Sequence, residues 1–521
     1  MLRTAILALF FLSGMAGLIY QVVWTKLLAL TFGVTVLAVS TVLTCFFGGL
    51  ALGSFLGGRW VDKRPDGFKW YGAAEILIGV YAMAFLPLLG INNSVYAYIA
   101  RGSSFGIYGL TLLKFILSAI LLFMPTLLMG ATLPILSKAI ARSHGSFARD
   151  IGWLYGANTV GAVAGAVLTA FFLIPNFGIK AIIHSAGALN IFIGVSAILL
   201  GRLRLEAGPV KEASTPSIFV DPLPRWFTLL LLLSFGVLGF TGLAYEIMWT
   251  RVLGFVLTGT VYAFATVLAV FLSGIAAGSF LLARFPDRMR PGRLITVFSA
   301  IVALIGLSSI GLIILYDRLP SFGFYHKLGS TQSWNEFVFL NFLIPFLTLI
   351  VPTFLFGGAF PFACRLYARK KDDAGKRIGN IYSINTVGGI LGSFAGGFIL
   401  IPLLGVQKSI VLLGVMNIIS GSLLAAFNPF AGRLKYALPA IPAAAAFILI
   451  LLLPSDMSLT LHKSLLSRGE EIVFYREGTA ATVMIAERPG RDLNTSNKRL
   501  WVNGNRATAA FYEGLQINRF Q

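Results

Sequence analysis

The sequence predicts an all-α polytopic membrane protein: two parallel six-helix repeats, an extra helix and a short C-terminal β-hairpin. Three observations lead there. The chain has 521 residues, of which 57% are hydrophobic and only 12% charged, too little polar surface to clothe a soluble globule of this size. Gly17-Leu18-Ile19-Tyr20-Gln21-Val22-Val23-Trp24-Thr25-Lys26 is repeated 225 residues later as Gly242-Leu243-Ala244-Tyr245-Glu246-Ile247-Met248-Trp249-Thr250-Arg251. Apolar windows of about 20 residues, the length that crosses a bilayer as a helix, fall six on each side of the polar stretch from Arg202 to Arg225.

The first six windows lie near 5–32, 35–58, 70–91, 109–138, 152–175 and 179–201, and the second six near 226–256, 260–283, 294–316, 336–364, 378–402 and 406–428. From Gly17 to Asp62 the repeat runs without a gap. Pro125, Thr126, Gly130 and Pro134 then return as Pro352, Thr353, Gly357 and Pro361, and Tyr155, Asn158, Thr159, Gly161 and Gly165 as Tyr382, Asn385, Thr386, Gly388 and Gly392. Asn92 to Gly106, mixed and aromatic, suits an interface between bilayer and water. Arg3 before an apolar run imitates a signal peptide, but the following residues have an internal copy, so a retained helix is expected.

The expected organisation is a first repeat over 1–202, a cytoplasmic linker over 203–225, a second repeat over 226–430, an extra membrane helix over 431–454 and a polar C-terminal segment over 455–521. In that last segment Ala481 to Glu487 and Lys498 to Asn503 read as a hairpin. Lysine and arginine gather in the even-numbered loops, as in Arg59, Lys63 and Arg64, or Arg365, Arg369 and Lys370. This bias puts those loops and the N-terminus in the cytoplasm, and it accounts for the net charge of +21 without nucleic acid. An even number of spans per half makes the repeats parallel, a transporter-like plan. Cys45 and Cys364 have neither pairing nor metal-ligand spacing, and no metal site or catalytic residue is expected.

Ionisable groups inside spans are costly and tend to mark sites. Glu75 and Glu246 are therefore candidates to attract a cation, with Gln21, Tyr20 and Tyr245 as helpers and Lys114 as a charged neighbour. The plainer reading pairs Glu246 with Arg251 or a neighbouring helix and leaves Glu75 near water. Tyr155 and Asn158, with Tyr382 and Asn385, share one helical face with small residues; they suit helix packing with amide glue, and alternatively a substrate wall. His184 reads as a packed histidine. Arg59 with Asp62 and Arg284 with Asp287 read either as a cytoplasmic charge latch between halves or as basic loops with a local ion pair.

These segments resemble bacterial fused major-facilitator/spermidine synthases. The resemblance rests on the paired Gly-x-x-Tyr-[Gln/Glu]-x-x-Trp-Thr-[Lys/Arg], Pro-Thr-x-x-x-Gly-[Ala/Gly]-x-x-Pro and Tyr-x-x-Asn-Thr-x-Gly motifs, and on Tyr475-Arg476-Glu477-Gly478-Thr479 through Val502-Asn503-Gly504-Asn505, which is similar to the start of a spermidine-synthase domain. It implies a major-facilitator-like membrane module and an aminopropyltransferase fold using decarboxylated S-adenosylmethionine and a polyamine. The sequence departs from the synthase pattern at Thr482, where Gln is expected, and at Asn503-Gly504, where Asp-Gly is usual. It also contains neither the glycine-rich cofactor turn nor the later acidic motif, so region 455–521 is expected to be incomplete and unable to perform the transfer.

The expected function is a transporter-like module in a bacterial inner membrane, handling a polyamine or another small cation. Alternatives are a membrane-anchored aminopropyl- or methyltransferase whose catalytic part is missing from this chain, and a non-transporting scaffold.

Overall fold

In the computed structural model, residues 2–32, 35–64, 66–141, 147–206, 223–256, 261–318, 334–367, 373–432, 437–463, 466, 470–478, 482–488, 497–502 and 505–511 are described. Most of the expected linker, most of the hairpin loop and the Asn503-Gly504 pair lie outside them. The first half contains α1 (Leu2–Phe32), α2 (Thr35–Asp62), α3 (Gly67–Gly102), α4 (Ile107–Ala141), α5 (Phe147–Leu168) and α6 (Ile179–Glu206). The second contains α7 (Arg225–Val256), α8 (Val261–Leu282), α9 (Pro291–Arg318), α10 (Trp334–Tyr367), α11 (Ala374–Ala395) and α12 (Ile401–Ala426). Among the described residues, ten stretches are long and apolar enough to cross a membrane, the last of them running through both α11 and α12.

Each half is three packed helix pairs. In the first, α1 lies on α5, α2 on α4 and α3 on α6; in the second, α7 lies on α11, α8 on α10 and α9 on α12. Glycines at four-residue spacing, Gly49, Gly53 and Gly57 on α2 and Gly274 and Gly278 on α8, make the second of these pairings close. A Cβ on Gly53 would lie 1.9 Å from the Leu127 carbonyl oxygen, and one on Gly278 1.8 Å from that of Phe354. Small residues at this spacing let backbones meet where lipid supplies no hydrophobic drive. Between halves, α2 packs on α11 and α5 on α8, as a two-fold repeat requires. Prolines inside α4 (Pro125, Pro134) and α10 (Pro345, Pro352, Pro361) are accommodated because surrounding helices and side chains take up the freed backbone groups. A π-helical turn ends both repeat-related helices, at Thr169–Leu173 after α5 and Gly396–Leu400 after α11.

Two expectations are revised. The α3 helix does not stop at an interfacial segment but continues to Gly102 as 36 residues, about 54 Å, so its aromatic end projects beyond a bilayer core of about 30 Å. The C-terminal segment is not one hairpin but a four-stranded antiparallel meander of β1 (Glu471–Glu477), β2 (Thr482–Arg488), β3 (Asn497–Val502) and β4 (Asn505–Phe511). The expected hairpin forms its centre, with Met484 facing Trp501 and Ala486 facing Arg499. Both outer strands hid from pattern reading: β1 is exposed on both faces at Glu471, Val473 and Phe474, and β4, Asn-Arg-Ala-Thr-Ala-Ala-Phe, is rich in poor strand formers.

The extra segment carries α13 (Ala440–Leu451), only 12 residues and about 18 Å long. Its flanks nevertheless reach both ends of the second half. Asn428 donates to the Gly292 carbonyl (3.0 Å) at the start of α9, and Gln407, near the start of α12, donates to the Pro454 carbonyl (2.8 Å). Between them Ala446 packs with Ile310 and Ile418. A short helix, α14 (Met457–Lys463), then leads into the sheet.

Candidate functional site

A cavity of about 700 Å³ lies between the halves. Its wall takes Ser13, Gly17 and Gln21 from α1, Tyr155, Asn158 and Thr159 from α5, Glu246, Thr250 and Arg251 from α7, and Tyr382, Asn385 and Thr386 from α11. The repeated motif is thereby divided. Tyr20 and Trp24, four residues apart and so on one face, point into the first half, where Trp24 stacks between Tyr20 (5.1 Å) and Phe85 (4.7 Å). Tyr245 and Trp249 do the same in the second half, with Trp249 stacked on Tyr316 at 5.0 Å. Gln21 and Glu246, about 100° further round the helix, are left facing the cavity.

Glu246 has no ion-pair or hydrogen-bond partner among the described residues. The sequence-based pairing with Arg251 is not formed. Arg251 instead donates to the Gly478 carbonyl (2.6 Å) at the end of β1, next to Glu477, whose carboxylate accepts from the Val406 backbone (2.7 Å). One wall of the cavity therefore carries an unpaired carboxylate amid apolar and amide groups.

The remaining candidates for cation binding are elsewhere. Glu75 is fully buried inside the first half, accepting hydrogen bonds from Ser13 (2.6 Å) and Asn190 (2.5 Å). Tyr20 donates to the other face of Asn190 (2.8 Å). Tyr20, Tyr245 and Glu75 do not line the cavity, so the idea that they share one site with Glu246 is corrected. Lys114 lies over the Tyr96 ring, 4.9 Å from its centre, and His184 is partly exposed, its Nδ1 donating to the Lys180 carbonyl (2.7 Å).

The paired asparagines serve both readings. Asn158 donates to the Phe10 carbonyl and Asn385 to the Phe235 carbonyl, each at 3.2 Å, joining α5 to α1 and α11 to α7, while both also line the cavity. Tyr155 lies 4.4 Å from the Phe360 ring, which is 6.5 Å from that of Tyr382; the three rings meet where the halves converge. Phe360 was not singled out in the sequence. It stands four residues before Cys364 in an apolar run, and nothing local distinguishes it from packing aromatics.

Beyond these rings the halves are fastened at the end bearing the basic loops. Asp62, at the end of α2, accepts from the backbone of Gly375 (3.1 Å) and Lys376 (2.8 Å), the first turn of α11 in the other half. Asp287, after α8, accepts from Ala148 (3.1 Å) and Arg149 (3.0 Å), the first turn of α5. Lys138 lies 3.5 Å from Asp62, and its repeat counterpart Arg365 lies 3.3 Å from Asp287. The two acids thus cap helices across the interface, where a negative charge meets the positive end of the helix dipole. The cations expected beside them do otherwise: Arg59 covers the Phe55 ring at 3.3 Å, and Arg284 stands 6.0 Å from that of Trp153. Helix-terminal lysine and arginine on α4 and α10 take their place.

With this geometry the fold is similar to solved transporters. A bacterial homologue of the iron transporter ferroportin, crystallised in an outward-facing state, superimposes with a TM-score of 0.52 at 15% identity, covering 85% of this chain and all of that one. The same homologue soaked with iron gives 0.52 at 16% identity, covering 85% of this chain and 99% of that one. These likenesses establish the major-facilitator-like fold. Among curated sequences, polyamine aminopropyltransferase 1 of Streptomyces coelicolor is 23% identical over 302 residues, covering 56% of this chain and 52% of that protein. The polyamine aminopropyltransferase of Mycobacterium tuberculosis H37Rv is 26% identical over 313 residues, covering 57% of this chain and 52% of its own length. The chain spans about half the length of the curated relatives it matches. No protein-family model matches the sequence.

Proposed function

We propose that this protein is a membrane transporter module for a small organic cation of the polyamine type, attached to a spermidine-synthase-like segment. The observation that carries the reading is Glu246, a carboxylate with no bonded partner among the described residues, on the wall of a cavity of about 700 Å³ between two six-helix halves. A carboxylate there retains its charge at least cost when a cation enters beside it. The tyrosines and phenylalanines of the wall offer faces on which an ammonium group or its methylene chain rests. The polyamine class comes from the likeness to aminopropyltransferases.

The positive-inside bias supports a bacterial inner-membrane protein with the latch end and N-terminus cytoplasmic. On this orientation the structure is closed towards the cytoplasm. Its lining residues run up α7 from Phe235 to Arg251, away from the latch, and the sheet docked at Arg251 lies outside.

The test is uptake of radiolabelled spermidine by proteoliposomes. Wild-type protein is expected to accumulate it. Glu246→Gln is expected to weaken binding about ten- to hundredfold, the worth of a charged hydrogen bond of about 1.5 to 3 kcal/mol. Equal uptake by the variant would remove Glu246 from the site, and no uptake by either protein would remove the polyamine.

The same relatives favour a second reading, a membrane-anchored transferase. A reading frame that continues past Gln521 into a glycine-rich cofactor turn would support it, and one without that turn would remove it.

A further inference from the structure

The second half builds the counterpart of the core around Glu75 without a carboxylate. A Cβ on Gly79 would meet the Gly187 carbonyl and Asn190; one on Gly306 would meet the Gly414 carbonyl and Asn417. Asn190 and Asn417 are therefore equivalent, and Glu75, four residues before Gly79, has Val302 as its counterpart. In the second half the same core closes with neutral groups: Thr241 donates to Asn417 (3.0 Å), and Tyr245 lies beside Asn417 and Ser309. The first half builds the equivalent Tyr20–Asn190 pair and adds a fully buried carboxylate. Isolated charge in such a place is expensive, so packing alone gives no reason for it.

The second observation is the route to it. Ser13 lines the cavity, and its hydroxyl donates to Glu75. One side chain therefore separates cavity water from the buried carboxylate. The groups facing Glu75 are Ser13 and, through Asn190, Tyr20 from α1; Asn190 from α6; and Tyr71 from its own helix. Of the cations on the helices packed around it, Arg3 on α1 pairs with Asp150 and Lys26 stands towards the other end of α1, Lys114 on α4 lies over the Tyr96 ring and Lys138 lies near Asp62, and Lys180 stands at the start of α6. Among the described residues no Lys, Arg or His is bonded to Glu75.

We infer that Glu75 is a proton-binding site distinct from the cavity wall, loaded from the cavity through Ser13, and that its protonation sets the seating of α1. Ser13 gives its hydroxyl proton to the carboxylate oxygen it already faces, and hydronium in the cavity replaces that proton, leaving water; the Ser13 O–H bond breaks and re-forms, and one new O–H bond stands on Glu75. That oxygen changes from acceptor to donor. Ser13, which donates to that oxygen, then rotates to accept or separates, while Asn190 continues to donate to the other oxygen. Ser13 belongs to α1, so the helix that forms one wall of the cavity is repositioned. A proton gradient thereby acts on the cavity whatever cation it carries.

The experiment requires no transported substrate, so its outcome is separate from that of the polyamine reading. In full-length protein in lipid nanodiscs, with Cys45 and Cys364 replaced, Gly17→Cys supplies a thiol on α1 at the cavity wall, where a Cβ meets nothing within 4 Å. Its rate of reaction with a hydrophilic maleimide, divided by that of a free thiol at each pH, is expected to change about threefold or more between about pH 5 and pH 9 as the population shifts. Infrared difference spectra over the same range are expected to show a carboxylic acid band that Glu75→Gln removes and Glu246→Gln leaves. Adding Glu75→Gln to Gly17→Cys is expected to flatten the rate profile. A profile that persists in Glu75→Gln, or a spectrum without a band belonging to Glu75, overturns the proposal. If Glu75→Gln does not fold, Ser13→Ala asks the same question: it keeps the carboxylate and removes the link, and an unchanged profile again overturns the proposal.

Discussion

At the scale of single residues, burial decides which of several similar side chains does chemistry. Tyr245 and Glu246 are adjacent, yet one is core and the other faces the cavity. His462 in α14 illustrates burial in the polar segment: it is 5% exposed, its Nδ1 donates to the Ser458 carbonyl (2.6 Å) and its ring meets that of Tyr475 edge-on at 5.1 Å. Burial lowers its pKa from the ordinary 6.5, against the opposing pull of the Ser458 carbonyl, Glu477 and Asp456. The folded state therefore binds fewer protons than the unfolded one in this range, so its stability rises with pH. The contribution is complete above about pH 6.5 and is lost as the pH falls below that value. Protease cleavage within 470–488 should accelerate between about pH 7.5 and pH 5, and His462→Asn should remove that dependence. A wild-type cleavage rate indifferent to pH would show that His462 does not govern docking.

At the scale of elements, the corner where α12 begins is the most specific device in the second half. Gly405 adopts φ 76° and ψ 171° inside an otherwise helical run, a region open essentially to glycine alone. The turn frees the Val406 N–H to reach Glu477 (2.7 Å), while Gln407 bonds both Pro454 (2.8 Å) and Met457 (2.6 Å). One corner thus ties the sheet, the extra segment and α14 to the membrane module. Gly405→Ala would strain the backbone by about 1 to 3 kcal/mol and place a methyl 3.0 Å from the Glu477 oxygen. Hydrogen exchange should quicken in Glu471–Glu477 while α3 and α6 keep their protection. Unchanged exchange in β1 would mean that the corner does not hold the sheet.

At the scale of the whole molecule, two helix caps hold the halves together at one end. Gly58 and Gly375 let α2 and α11 touch there, a Cβ on Gly58 falling 2.3 Å from the Gly375 carbonyl oxygen. The Asp62 and Asp287 carboxylates then bind the first turns of α11 and α5. Each cap is worth up to about 2 kcal/mol, about five- to thirtyfold in the balance between closed and open forms. Cys364, 1% exposed behind Phe360, is a built-in reporter. With Cys45 replaced, Asp62→Ala with Asp287→Ala should raise its maleimide reactivity by at least the effect of either single change. On the proposed orientation that reaction occurs in inverted vesicles and not in intact cells. Reactivity from outside intact cells would reverse the orientation, and none from either side would mean the caps do not hold this end shut.

Much of this architecture was legible because bilayer solvent writes plainly in sequence. Span lengths, the repeat of Tyr20–Trp24 as Tyr245–Trp249 and the basic loops each follow from local composition, and local composition determined the six-plus-six plan and the two glycine-lined helix contacts. Tertiary structure decided which partner each polar group meets. Glu75 and Glu246 look alike as carboxylates in apolar helices, yet one is enclosed by Ser13 and Asn190 from distant segments and the other is left on a cavity wall. Asp62 looks like a partner for Arg59 three residues away, yet it caps a helix more than 300 residues on. Membrane cost depends on residue type and depth, which a sequence contains; hydrogen bonding depends on angles and separations between segments, which arise only when the helices pack.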